Sequence, residues 1–389
     1  LKLGVYIEQR RREYSTDAYF TNTNTIKPPN NYIRVLPIEE IFLPDNYGRK
    51  KLSFKLKAAY TGEYEGTQEI EAYYAMIDHP FTLGPLDFRL AGGARLEHSL
   101  QDVASLRKEG DEEPVYSSVN KVDVLPSASL TYAPTEWANV RLAAYHSVNR
   151  PELRELADVK YYDFNEDSTV QGNPRLRRAL IKNYDIRVEA FPGADEVVAA
   201  SYFYKDIHDA IELTATPSTD YKLLRSWFNS DEGKNHGFEI EFKKSLGFIA
   251  DFLGPLTVIG NYTRVYSEVE WRYEGETGTR PLQGQAPWTV NLALLFDEPG
   301  WGTSVSVLYN RIGRRIDTLG ATSLSHRWLE PRDMLDLAMT QRLFGRVRLK
   351  FTAKNILRAK KETTLGEDKL SPWTEESETS YSLSAGVSF

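Results

Sequence analysis

The chain has 389 residues and no cysteine, so neither disulfides nor thiolate metal ligation can hold it together. Aromatics make up 12% of it, with 23 Tyr against 17 Phe and 7 Trp, a bias towards pleated surfaces and wet interfaces. The net charge of −7 is spread along the chain without a Lys/Arg cluster, which excludes a nucleic-acid footprint.

No apolar run approaches the ~18 residues of a membrane helix. The mean hydropathy of −0.48 leaves a membrane β-barrel open, because such a barrel needs only alternate residues to be apolar. In chain order, alternating segments run over Phe88 to Glu97 ("FRLAGGARLE"), Val140 to His146, Tyr184 to Ala190, Val197 to Tyr204, Phe238 to Phe242 and Leu256 to Tyr262. Towards the C-terminus the pattern sharpens. Trp288, Val290, Leu292, Leu294 and Phe296 alternate with Thr289, Asn291, Ala293, Leu295 and Asp297, and Trp301 to Asn310 repeats the arrangement. Leu335, Leu337 and Met339 oppose Asp336, Ala338, Thr340 and Arg342, and Val347, Leu349, Phe351 and Ala353 oppose Arg348, Lys350, Thr352 and Lys354. The chain closes on "YSLSAGVSF", where Tyr381, Leu383, Ala385, Val387 and Phe389 alternate with serine and glycine. Each segment is a period-two strand with one apolar and one polar face. Helical periodicity is nowhere sustained.

The connections alternate in length. "APTE" (133–136), "PGAD" (192–195), "DEPG" (297–300) and "FGR" (344–346) have turn composition, whereas 147–181, 205–237, 271–284, 311–333 and 358–379 are long. Tight turns at one rim and long loops at the other predict an all-β, antiparallel up-and-down transmembrane β-barrel of about 14 strands. The polar faces carry Arg89, Arg95, Glu97, Arg141, Asp185, Arg187, Glu189, Glu239, Glu241, Lys243, Asp336, Arg342, Arg348, Lys350 and Lys354. Charge at that density cannot lie in a dry core, so the lumen is wide and wet or filled by a polar plug. Phe389 and Tyr381 then belong to aromatic girdles at opposite ends of the last strand.

Several stretches, in this order and spacing, resemble the C-terminal part of TonB-dependent outer-membrane receptors: "QEIEAYYAMIDHPF", "RLAGGARLEHS", "LPSASLTYAPTEWANVRLAAYHSVNRPELREL", "VQGNPRLRRALIKNYDIRVEAFPGADEVVAASYFYKDIHDAIE", "GFEIEFKKSL" and "KNILRAKK". The resemblance implies a barrel of about 22 strands around an N-terminal plug, importing scarce nutrients such as ferric siderophores, cobalamin or oligosaccharides with energy supplied through TonB. It implies as partners the outer-membrane lipid, the TonB complex via a plug domain absent from this chain, and a small-molecule or oligosaccharide ligand. Residues 1–389 are accordingly expected to be barrel alone, a fragment without its plug. Leu1 to Tyr14 reads as an upward strand and 15–65 as a long outer loop.

Chemistry is harder to find. The six histidines show no metal-ligand spacing, no glycine-rich phosphate loop follows a strand, and no cofactor is expected. The acidic loop "YYDFNEDS" (161–168) lacks a nucleophile or oxyanion donor, so an enzyme is not expected. Its residues Tyr161, Tyr162, Asp163, Phe164 and Asn165 can stack on a ring and hydrogen-bond its edge, or form a polar outer loop with no further role. Arg150 in "SVNRPEL" either contacts ligand or marks a strand exit set by Pro151. Trp271, Trp328 and Trp373 are girdle members or ligand platforms. Two other readings remain at this stage: a TonB-independent channel complete at about 14 strands, and a soluble all-β binding protein with a dry core.

Overall fold

The computed structural model describes residues 1–56, 62–107, 113–217, 223–273, 276–320 and 325–387. Fourteen strands follow one another in a single antiparallel sheet: β1 (Lys2–Thr16), β2 (Gly62–Leu83), β3 (Leu86–Arg107), β4 (Val115–Thr135), β5 (Ala138–Asn149), β6 (Ala179–Ala190), β7 (Val197–His208), β8 (Glu232–Ser245), β9 (Leu256–Tyr273), β10 (Trp288–Glu298), β11 (Thr303–Ile312), β12 (Arg332–Leu343), β13 (Val347–Lys354) and β14 (Ser380–Val387). A fifteenth, Glu276–Arg280, folds back on the upper end of β9. Every neighbour in the sheet is a neighbour in sequence, as a meander requires.

Turns at one rim are tight, apart from the ten-residue connection 246–255 between β8 and β9, which holds two 3-10 turns. Gly84 closes β2 onto β3 at φ 63°, and Phe344 and Gly345 close β12 onto β13 at φ 52° and 71°, conformations in which glycine carries no Cβ penalty. The turn expected at 133–136 falls at 136–137, because β4 runs on to Thr135. The strands are longer than their alternating cores; β2 and β3 reach 22 residues each, well past the ~9–11 that cross a bilayer. Above the apolar belt the alternation fades, and backbone pairing alone carries the ladder upward.

Register puts the apolar set on one face. Leu90, Leu130, Leu142, Ile186, Tyr202 and Phe238 are successive cross-strand partners, as are Leu294, Val307, Leu337, Ala353 and Tyr381. The opposite face carries Arg89, Thr131, Arg141, Arg187, Ser201 and Glu239 in one row. Its charges pair with one another: Arg89 with Asp78 at 2.6 Å, Arg141 with Glu189 at 2.7 Å, and Arg187 with Glu241 at 2.8 Å.

Among the described residues no second layer covers the apolar face; Leu90, Leu142, Ile240 and Leu294 remain 42–46% exposed. Exposing such a belt to water would cost about 25 cal/mol per Å², so a sheet built this way calls for a hydrocarbon surround and not a dry core. Buried apolar side chains gather instead beneath the long loops. Tyr64, Val103 and Val119, on the inner face of β2–β4, pack against Leu153, Leu156, Val159 and Leu176 of the 150–178 loop. A separate small cluster, Ile26, Ile33 and Leu52, holds the outer segment between β1 and β2.

Four of the long loops do not stay irregular. Their hairpins assemble into a second, eight-stranded sheet in the order Leu370–Glu375, Lys361–Leu365, Arg327–Leu329, Arg315–Gly320, Ile211–Pro217, Leu223–Asn229, Ser168–Gln171 and Lys160–Asp163. Loops meet in parallel at Thr214 to Leu319 and at Leu224 to Thr169. This crown sits over the end of the barrel opposite the tight turns. Trp328 and Trp373 belong to it, while Phe389 and the Trp271 side chain lie outside the described residues.

Candidate functional site

The 150–178 loop enters the barrel mouth before rising into the crown. A one-turn α-helix, α1 (Leu153–Leu156), is capped by Glu152, whose N–H donates to Glu155 Oε2 at 3.0 Å, and it delivers Leu153 and Leu156 to the buried cluster. Both stems of the loop are tied to carboxylates on the inner wall. Arg150 is bound to Glu97 and donates Nε to Ser99 at 2.9 Å, and Arg178 holds Asp123 at 2.5 Å. Glu97 and Asp123 are 5% and 4% exposed, so these arginines neutralise charges that could not stay buried alone.

Tyr161 is half-buried, edge-on to Tyr14 at 6.4 Å, and Tyr14 in turn stacks on Tyr64 at 5.4 Å. Burial raises the Tyr161 phenol above its ordinary pKa. Tyr162 donates its hydroxyl to Asp167 and meets Phe164 edge-on at 4.8 Å. Asp163 accepts the Asn165 N–H at 3.1 Å, closing the hairpin tip, and lies 3.5 Å from Arg225. Phe164 is 85% exposed at the tip, with Asn165 beside it. Of the six residues singled out in sequence, Tyr162, Asp163, Phe164 and Asn165 come together at the hairpin, Tyr161 packs beneath them, and Arg150 lies below in the loop stem.

Ion pairs join the loops to one another. Arg327 binds both Glu166, at the hairpin tip, and Asp317. Arg280 grips Glu212 at 2.7 Å, with both side chains under 10% exposed, while Gln283 donates its N–H to Glu212 at 2.7 Å. Arg314 holds Glu330 at 2.7 Å and donates to the Gly366 carbonyl at 2.8 Å. Among the described residues no group of three His, Asp or Glu could hold a metal.

The profile of the TonB dependent receptor-like β-barrel family matches residues 4–356. The chain belongs to the TonB-dependent receptor family. No curated protein matches it, but solved structures do. This receptor barrel superimposes on the ferric-catecholate import receptor Fiu of E. coli K12 with a TM-score of 0.61 at 16% identity, covering 100% of this chain and 55% of that one. The siderophore receptor PiuA of Acinetobacter baumannii gives 0.58 at 14% identity, covering 86% and 44%. The FrpB iron transporter of Neisseria meningitidis gives 0.53 at 15%, covering 85% and 45%. The receptor barrel thus spans about half the length of the structures it resembles. The family resides in the outer membrane of Gram-negative bacteria, and no helix among the described residues here is long and apolar enough to cross a membrane, which says nothing of a β-barrel.

The partners that join the receptor's loops were not visible in sequence. Glu212 and Arg280 are 68 positions apart, and nothing local marks either as half of a buried pair. His326 is another such residue. It is buried in the crown, and Nδ1 accepts the Gly320 N–H at 3.0 Å, leaving the proton on Nε2. Burial, assisted by nearby Arg280 and opposed by Glu212, pushes its pKa down to about 4. Below the ordinary histidine value of about 6.5 the unfolded loop takes up a proton before the folded one does, so crown stability falls from there to about pH 4 and levels off beneath it. Protease nicking within 313–331 is expected to rise across that window in the wild-type protein and to stay flat in His326→Asn, whose Oδ1 keeps an acceptor for Gly320.

Proposed function

We propose that this chain is the barrel wall of an energy-coupled outer-membrane importer for an iron-siderophore-class ligand, with no catalysis of its own. The observation that carries the reading is the pairing of a charged, water-compatible inner wall with an ordered crown over its outer mouth. Such a crown positions side chains far better than separate mobile loops would. The names of the structures it resembles, an import receptor for ferric catecholate and a siderophore receptor, support that ligand class. Coupling to TonB would run through a plug segment outside these 389 residues.

Within this reading the ligand first meets the hairpin tip. Phe164 offers an exposed ring, Tyr162 braces it, and Asn165 and Asp163 present amide and carboxylate groups beside it. Arg150 and Tyr161 act from below by holding the loop stem. Tyrosine fluorescence quenching by ferric enterobactin, used as the probe on outer membranes bearing the protein, tests the assignment. Phe164→Ala is expected to weaken binding about tenfold, the loss of one aromatic stacking contact. Quenching by neither protein removes the ligand class, and equal quenching by both removes the hairpin from the site.

A further inference from the structure

Charge is not handled alike around the inner wall. Near the tight-turn rim of β2 to β8, cations stand beside carboxylates: Arg89 is 2.6 Å from Asp78, Arg141 2.7 Å from Glu189, Arg187 2.8 Å from Glu241 and Lys243 2.5 Å from Asp195. At the same rim of β12 and β13, Arg342, Arg348 and Lys350 share the inner face and are exposed. Their side chains make no ion pair or hydrogen bond among the described residues. Arg342 and Arg348 are direct cross-strand partners, and Lys350 opposes Thr340. Like charges placed opposite one another weaken a ladder, and here no local partner offsets that cost.

The carboxylates on this stretch of wall are out of reach. Asp297 shares a row with Lys350, through Ser304 and Thr340, but stands three strands away, about 14 Å at the usual interstrand spacing. It accepts the Ser304 hydroxyl at 2.5 Å. Asp336 lies about 20 Å along β12 from Arg342 and accepts the Asn355 N–H at 2.8 Å. Glu298 belongs to the opposite face and accepts the Gly300 N–H at 3.2 Å.

The surroundings are small and hydroxylated. Ser304, Ser306, Thr340, Thr352, Ser382 and Ser384 share the face, and a Cβ added to Gly386, the partner of Arg348, would meet nothing within 4 Å. A surface that seats a folded polypeptide has an apolar or aromatic centre from which charge is depleted. Around these cations the composition is the reverse. Hydrated positive charge over a hydroxyl lining attracts an anion without gripping it.

We propose that Arg342, Arg348 and Lys350 form a passing station on the inner wall for a polyanionic metal chelate, drawing it from the crown-covered mouth towards the rim of tight turns. A ferric tris-catecholate has this chemistry, since its deprotonated oxygens carry more negative charge than the iron they hold carries positive. Solvated cations act over about 8 Å at physiological ionic strength, far enough to capture such a complex from the lumen. Their hydration lets it leave again, as passage requires. The inference rests on the importer reading above and adds a second place at which that ligand meets the wall.

The full-length receptor in whole cells tests it, with ferric enterobactin as the probe and both binding and uptake of radiolabelled iron as readouts. Arg342→Gln, Arg348→Gln and Lys350→Gln together are expected to leave binding within about twofold of wild type and to lower the maximal uptake rate about tenfold, an effect in the range of electrostatic guidance of a charged solute. Arg342→Lys with Arg348→Lys is expected to keep most of that rate, because the charge stays. Heat-modifiable gel mobility is expected to be the same in every variant, since no partner is orphaned. Unchanged uptake in the triple variant overturns the proposal, as does a loss that the lysine pair shares or a loss of heat-modifiability. A loss accompanied by entry of vancomycin also overturns it, by making these cations the seat of a polypeptide that fills the lumen. Wild-type protein that neither binds nor imports the probe removes the importer reading instead, a distinct result.

Discussion

Leu294→Arg is expected to destabilise the barrel by about 2–4 kcal/mol, the cost of an arginine on the lipid face near the bilayer midplane. Leu294 sits midway along β10, 42% exposed, with Val258 and Val307 as its cross-strand partners, so an arginine there has only apolar neighbours on either side. Ala293, one residue earlier, faces the opposite way, and an arginine there enters a lumen already lined with charge. Ala293→Arg is therefore expected to change stability by no more than about 0.5 kcal/mol. Urea unfolding from lipid vesicles, followed by heat-modifiable gel mobility, compares the two. Equal losses from both variants would mean that the faces have been assigned wrongly, and the membrane reading would go with them.

Removing Arg280 has a comparable effect at a different place. Arg280→Met leaves Glu212 buried at 2% exposure, with the Ser230 hydroxyl and the Gln283 N–H as its remaining hydrogen-bond partners and its charge uncompensated. Breaking a buried pair from one side typically costs about 3–5 kcal/mol, against near neutrality when both partners are replaced by apolar residues of similar volume. The expected outcome is that Arg280→Met opens the crown locally while Glu212→Leu with Arg280→Met restores most of the loss. Protease nicking in 209–231 and 276–287 reads the opening directly, because local release of the crown leaves the fourteen-stranded ladder in place. If nicking in the single variant stays at the wild-type rate, the crown is not held by this pair.

Those two experiments divide the molecule as its legibility does. The barrel could be read from residues such as Leu292, Leu294 and Phe296 alternating with Asn291, Ala293 and Leu295, because consecutive side chains of a strand point to opposite faces and a two-residue period survives in any window of the sequence. Short turns such as "FGR" and long intervening loops added the meander. The upper halves of β3 and β4 were less legible, since above the apolar belt Gln101, Ser105 and Ser117 face a packed loop and the alternation no longer marks a solvent boundary.

The loops show where local reading runs out. "YYDFNEDS" looked the same whether ligand-binding or idle, and its placement depends on Glu166 meeting Arg327 across 161 positions and on Leu224 pairing in parallel with Thr169. Arg150 likewise gave no sign that it would be spent on Glu97. By itself, then, the sequence determined which side of each strand meets hydrocarbon and on which rim the loops lie, both consequences of a periodicity carried by adjacent residues. Only the tertiary structure decided that four loops become one sheet, because the ion pairs and strand contacts that join them link residues with no common local pattern, and a buried charge finds its partner by position in space.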